Sequence, residues 1–264
     1  MNSVFYRAWL FGYLPYHQLM NGLQSSRLRR FAAARFSPEG AAGLHLTVGV
    51  AVLMLTAWVF GIIAGQVVAG GPITLVDLQV ANWFHAHAHA TPTLTRVTLF
   101  FTHWNSVAGV LAMSAVLAAV LFRRRLDYWL LALCVTVPGG MAVNILMKLS
   151  FERARPVFEQ PLVVLHTYSF PSGHASGATL FYGFLACLLV RHMASNGKRA
   201  AIIGAAALMV LAVCFSRVYL GAHYLTDVIA GVAEGLAWLA ICIPAMTSLR
   251  RRREAQGLPL WRRS

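Results

Sequence analysis

The residues best equipped for chemistry in this 264-residue chain fall in three short polar strings: KLSFERARP from Lys148, PSGH from Pro171 and SRVYLGAHYLTD from Ser216. Together they hold the cations Lys148, Arg155 and Arg217, the histidines His174 and His223, and the carboxylate Asp227. Each string sits at the edge of a long apolar run. That inventory suits holding a phosphate group and breaking its ester or anhydride bond, with cationic side chains in place of a metal to carry the charge.

Each string has a plainer reading beside the chemical one. A Lys or Arg just past an apolar helix often snorkels to the membrane interface. Arg also offers phosphate a planar fork of donors, and Lys a compact point charge. Pro171 and Ser172 are ordinary helix-start residues. The same geometry makes an anion site, because the first N–H groups of a helix lack partners and its dipole is positive there. Gly173 lets backbone approach such an anion, and His174 stands where it can donate a proton to a leaving oxygen. His223 and Asp227 are four residues apart and share a helix face. In isolation they read as a capping pair. In this company, a carboxylate on Nδ1 would fix the tautomer and leave Nε2 to attack.

The elements that must position these groups are membrane helices. The chain is 58% hydrophobic and only 11% charged, where a soluble protein carries about 25% charged residues. The apolar residues are blocked at 46–69, 97–122, 128–147, 175–190, 200–215 and 225–247, and about 20 apolar residues cross a bilayer as a helix. We therefore expect an all-α polytopic membrane protein with six transmembrane helices. It divides into a cytoplasmic N-terminal segment (1–45), a membrane domain (46–247) and a basic tail (248–264). The stretch VFYRAWLFGYL from Val4 suits an interfacial helix and a disordered tail equally, and residues 1–45 lack the pattern of a signal peptide.

The net charge of +14 does not point to nucleic acid, because of where it lies. Seventeen of the 22 basic residues cluster before the first run, after the second (Arg123, Arg124, Arg125), after the fourth (Arg191, Lys198, Arg199) and after the sixth (Arg250 to Arg253, Arg262, Arg263). With six spans these places share one side, and Lys/Arg excess marks the cytoplasmic face. No nucleic-acid module is visible; the partners expected are membrane lipids. The same count puts both termini in the cytoplasm. It also puts all three polar strings on the outer face, so residues far apart in sequence can meet at one depth. Cys134, Cys187, Cys214 and Cys242 lie inside apolar runs and read as small hydrophobes, with no disulfide framework or zinc cage.

The three strings, in this order and spacing, resemble the signature of the type 2 phosphatidic acid phosphatase (PAP2) superfamily, in its membrane lipid-phosphate phosphatase branch. The resemblance covers about residues 95–245. It implies a PAP2/haloperoxidase-like helical core, no cofactor and no metal. It implies that His223 attacks phosphorus to form a phosphohistidine, that Asp227 stabilises the imidazolium, and that His174 protonates the leaving group. Lys148, Arg155, Arg217 and the N–H groups of Ser172 and Gly173 would bind the phosphate oxygens. The expected setting is a bacterial cytoplasmic membrane with the site facing the periplasm. The expected substrate is a lipid phosphate, undecaprenyl diphosphate first, with phosphatidylglycerol phosphate, phosphatidic acid, lipid A phosphate and phosphoryl transfer to another lipid as alternatives. A transporter or scaffold that kept a phosphate cage is the reading from another class; a complete nucleophile, orienter and acid argue against it.

Other polar residues are weighed individually. Glu152 and Arg153 fall outside the signature and are expected to be solvated loop charges. His85, His87 and His89 are expected to be loop or interfacial histidines rather than metal ligands. Glu234 is expected to make an interhelical hydrogen bond. His103, Asn105 and Asn144 should face the bundle interior, while Thr102 and Trp104 read as packing or belt residues.

Overall fold

In the computed structural model, residues 27, 35 and 43–257 are described, His89 and Ala90 by backbone alone. The stretch at Val4 and the arginines Arg262 and Arg263 lie outside the described residues. The chain divides into two compact units, residues 1–48 and 49–264. Within the first, Thr47 Oγ1 donates to the Arg35 carbonyl at 2.9 Å.

All regular structure among the described residues is helical: α1 (Leu44–Val68), α2 (Ile73–Ala90), α3 (Pro92–Trp104), α4 (Val107–Arg123), α5 (Asp127–Phe151), α6 (Gly173–Val190), α7 (Asn196–Tyr219) and α8 (Leu225–Ala255). Five of them are long and apolar enough to cross a membrane, and the α3–α4 pair makes a sixth span if the two count as one. Large apolar side chains such as Trp58, Leu146 and Leu208 stay exposed on the helix surfaces, as lipid-facing positions require.

The second apolar run is not one straight span. It breaks by 52° between α3 and α4. The residues at the break explain it: Asn105 turns its amide back to the Phe101 carbonyl at 3.0 Å, and the Ser106 hydroxyl caps the new helix by accepting from the Gly109 amide at 3.2 Å. Short polar side chains compete with helix continuation in this way. The sequence also hid α2, read as a connection. Its HAHAH string looks like an alternating loop, yet the segment is a helix packed on α7 and α8. The last helix runs through Arg250–Arg253 to Ala255, past the boundary drawn at 247, with Arg250 paired to Glu254 at 3.0 Å one turn on.

The most enclosed helix is α6, which packs against α5, α7 and α8. Its first turns are small residues, Ala175 to Thr179, all buried. Against them lies the Gly231–Gly235 face of α8: a Cβ on Gly231 would come within 2.5 Å of the Ser172 carbonyl, and one on Gly235 within 2.9 Å of Thr179. Small residues four apart let two membrane helices approach to backbone contact. This contact fixes the start of α6 beside the start of α8, and so sets the distance between two of the three polar strings.

Candidate active site

The three strings meet where α5 and α7 end and α6 and α8 begin. Helix α5 stops at Glu152, whose left-handed backbone (φ 47°) turns its amide back to the Lys148 carbonyl. The chain then runs without regular structure to Ser172, the N-cap of α6. Helix α7 ends at Tyr219, and Gly221 (φ +64°) reverses the chain under the Phe158 ring, 2.6 Å from where a Cβ would stand. Only glycine fits that conformation without strain. The reversal carries the amides of Ala222 and His223 back to the Arg217 carbonyl at 3.0 and 3.2 Å, and so sets His223 beside Arg217.

Three cations line this region. Lys148 Nζ donates to the carbonyls of Tyr168 (2.8 Å) and Ser169 (3.3 Å). Arg155 donates to the carbonyls of Thr167 (2.6 Å) and Ala222 (2.6 Å), to the Thr167 hydroxyl (2.9 Å) and, through Nη1, to His223 Nε2 (3.1 Å). Burial lowers the Arg155 pKa from its ordinary value, opposed by Asp227. Arg217 is only 2% exposed. Its Nη1 donates to Thr102 Oγ1, but Nε and Nη2 are buried with no hydrogen-bond partner among the described residues.

His223 is buried. Its Nδ1 faces Asp227 Oδ2 at 3.4 Å and the Ser169 hydroxyl at 3.4 Å, and its Nε2 faces Arg155. An Arg nitrogen can only donate, so Nε2 presents its lone pair and the proton belongs on Nδ1. Burial above all, then Arg155, Arg217 and Lys148, hold the His223 pKa well below the ordinary imidazole value, which keeps the ring neutral. His174, half-buried in the first turn of α6, lies within electrostatic reach of Arg217, His223, Arg155 and Lys148. Gly173 beside it is the first helical residue, where an amide has no intrahelical acceptor. A Cβ there would stand 3.0 Å from Asn144 Oδ1 and 3.7 Å from Lys148 Cε, so the glycine keeps this wall low.

Four expectations need correction. Arg153 is not a solvated loop charge: it bridges Asp227 (2.6 Å) and Asp77 (2.8 Å), with 12% of its side chain exposed. Burial works against its charge, but the two carboxylates outweigh that and raise its pKa above the ordinary guanidinium value. Thr102 is not mere packing, since it is the acceptor that holds Arg217. The Ser172 amide is not open to a phosphate, because it already donates to the Asp227 carbonyl at 2.8 Å; the Ser172 hydroxyl caps α6 instead. His103 is exposed, whereas Asn105 and Asn144 are buried as expected. Glu234 takes the expected interhelical bond, accepting from Asn144 at 2.6 Å. His85 stacks on Phe158 and His87 on Trp83, and no cluster of three His, Cys, Asp or Glu side chains among the described residues could hold a metal.

Sequence reasoning gave Asp77 no role. It lies on α2, takes the Thr226 amide at 3.0 Å and the Thr226 hydroxyl, and so caps α8 from another helix. The available signal was a lone carboxylate in an apolar stretch.

A cavity of about 520 Å³ opens beside Lys148 and Arg155; Arg217 is not part of its lining. Lys148 and Arg155 give it free charge, Arg153, His166, Thr167 and Tyr168 line it as well, and Ile145, Leu149 and Leu165 form its apolar wall. Ile145 and Leu149 are also exposed on the helix surface, so the space offers charge to a headgroup and an apolar edge to a lipid chain.

A family model described as the PAP2 superfamily matches residues 127–251. Phosphatidylglycerophosphatase B of Bacillus subtilis (strain 168) is 35% identical over 147 residues, covering 55% of this chain and 71% of that protein. Among solved structures, the first transmembrane PAP2 type phosphatidylglycerolphosphate phosphatase from Bacillus subtilis superposes with a TM-score of 0.62 at 25% identity, over 81% of this chain and 98% of that one.

Proposed function

The chain belongs to the PAP2 superfamily, and on that premise we propose that it removes the phosphate from phosphatidylglycerophosphate by way of a phosphohistidine on His223. It is a multi-pass membrane protein and a phosphoric ester hydrolase. The observation that carries the proposed reaction is Arg217: a guanidinium 2% exposed, with two nitrogens unpartnered among the described residues, beside a buried neutral imidazole. An unpaired buried cation is costly, and a phosphate lying against Nε and Nη2 would satisfy both nitrogens at once.

In this reading Lys148, Arg155, Arg217 and the Gly173 amide hold the phosphoryl oxygens. His223 Nε2 bonds to phosphorus as the bond to the lipid oxygen breaks, and His174 delivers a proton to that oxygen. Asp227 faces the imidazolium that results. Water then attacks phosphorus, His174 takes up its proton, the P–N bond breaks and inorganic phosphate leaves. The cations stabilise charge on the equatorial oxygens, which is where phosphoryl transfer needs it.

The names of both relatives favour phosphatidylglycerophosphate over undecaprenyl diphosphate, the substrate placed first on sequence grounds. The test is phosphate release by purified protein in detergent from phosphatidylglycerophosphate, phosphatidic acid, lipid A phosphate and undecaprenyl diphosphate, each with and without a chelator. The expected result is the highest kcat/KM on phosphatidylglycerophosphate, unchanged by chelator. Faster turnover of undecaprenyl diphosphate would reassign the substrate, phosphate appearing on another lipid would make the protein a phosphotransferase, and loss of activity in chelator would end the cage mechanism. No release from any lipid would favour the transporter or scaffold.

A further inference from the structure

Arg153 lies between two buried carboxylates from different helices. Its Nη2 meets Asp77 Oδ2 of α2 at 2.8 Å, and its Nη1 meets Asp227 Oδ1 of α8 at 2.6 Å and the Thr226 hydroxyl at 2.9 Å. The guanidinium also stands 4.3 Å over the Tyr224 ring. Asp77 exposes 1% of its side chain and Asp227 none. Asp227 Oδ2 accepts from the Tyr224 amide at 2.9 Å and from the Ser169 hydroxyl, and the same oxygen faces His223 Nδ1. Both oxygens of Asp227 are therefore fixed by groups other than the histidine.

We propose that Asp77 and Arg153 are positioning residues for phosphoryl transfer: a clamp, reaching in from α2 and the α5–α6 connection, that holds the Asp227 carboxylate turned toward His223 Nδ1. The inference rests on the reading of His223 as the nucleophile. The charges explain why two residues are needed. Without Arg153, two carboxylates would share one buried space, and such a pair tends to keep a proton; a protonated Asp227 cannot balance an imidazolium. Without the charge of Asp77, Arg153 would pair with Asp227 alone and neutralise the carboxylate that His223 needs. The triad as built leaves one net negative charge facing the ring. This role differs from that of Lys148, Arg155 and Arg217, because both ends of Arg153 are taken by carboxylates rather than left for substrate.

The test uses the full chain in detergent, with phosphatidylglycerophosphate micelles as the probe. Asp77→Asn keeps an oxygen for the Thr226 amide but loses the charge, so it can fold where bolder changes fail. We expect kcat to fall about 10–100-fold, by analogy with the loss when the outer hydrogen-bond partner of a metal-ligating side chain is removed, with KM unchanged. Arg153→Gln should do the same. In an Asp227→Asn background, neither change should reduce kcat further, because the clamp acts only through that carboxylate. A raised KM with kcat kept would make Arg153 a substrate ligand and overturn the clamp. An unchanged kcat in Asp77→Asn, or an equal loss in the Asp227→Asn background, would overturn it as well. His223→Ala is the separate control: if it keeps wild-type turnover, the nucleophile assignment fails, whereas a dead His223→Ala beside indifferent clamp variants rejects the clamp alone.

Discussion

His223 is held neutral by its surroundings, and the same fact couples it to stability. Burial first, then Arg155, Arg217 and Lys148, keep its folded-state pKa well below the ordinary 6.5. An unfolded chain would take up a proton on this residue below 6.5, while the folded protein would not. Unfolding then binds the extra proton, so the His223 contribution is complete above 6.5 and stability declines as pH falls from there toward the folded value. Thermal unfolding in detergent should show this: wild type should lose melting temperature relative to His223→Gln as pH drops below 6.5, and parallel curves for the two proteins would contradict a depressed His223. At this scale the sequence revealed one layer of the site and concealed the next. Lys148, Arg155, Arg217, His174, His223 and Asp227, which the structure gathers at one end of the helices, stand out in the sequence because their spacing is distinctive. Arg153, Asp77 and Thr102 do not, because their partners lie 74, 149 and 115 residues away and only folding reveals the pairing.

Helices α6 and α8 set the geometry that those residues use. Gly231 lets the α8 backbone touch the Ser172 carbonyl, and the Ser172 amide donates to the Asp227 carbonyl across the same seam. Gly231→Ala would force the seam apart where the nearest atom is backbone and cannot swing aside. Overpacking of this kind costs about 1–3 kcal/mol, and it should also lower turnover, since Asp227 and His174 sit on opposite sides of the seam. The control is Gly61→Ala on α1, where a Cβ meets nothing within 4 Å and where alanine should gain up to about 1 kcal/mol of helix propensity. Melting temperature and phosphate release for the two variants should therefore diverge; a Gly231→Ala protein as stable and active as wild type would show that the seam is looser than its distances imply. Element count was readable from apolar runs, but breaks and extra helices were not. The 52° bend at Asn105 and Ser106 depends on local side-chain capping inside an unbroken apolar run. Helix α2 was masked because its histidines alternate with alanines in a strand-like rhythm.

Across the whole molecule, the charge pattern and the position of the cage make one proposal together. We place the basic clusters and both termini in the cytoplasm and the Glu152–Ser172 connection, with the cage beside it, on the outer face of a bacterial cytoplasmic membrane. An amphiphile in the outer leaflet could then present its phosphate to Lys148, Arg155 and Arg217 while its chains stay among the helices. The cavity lined by Ile145, Leu149 and Leu165 next to Lys148 and Arg155 fits that posture. Single cysteines introduced in a cysteine-free background test it. A cysteine at exposed Val157 or Val164 should react with an impermeant thiol reagent in intact cells, and one at Arg124 only after permeabilisation. The reverse pattern would place the site on the inner face. The presence of several membrane spans was the easiest feature to read at this scale, because it depends on composition; substrate was the hardest, because every candidate lipid carries the same phosphate.

The central claim is that phosphorus passes through His223. Rapid acid-free quenching of the purified protein with phosphatidylglycerophosphate labelled in its terminal phosphate measures this directly. The account predicts transient label that survives base, is lost in acid as a phosphoramidate should be, maps to the peptide containing His223 and is absent from His223→Ala. Steady turnover with no trapped label under conditions that capture other phosphohistidines, or label on a serine or carboxylate, would contradict it.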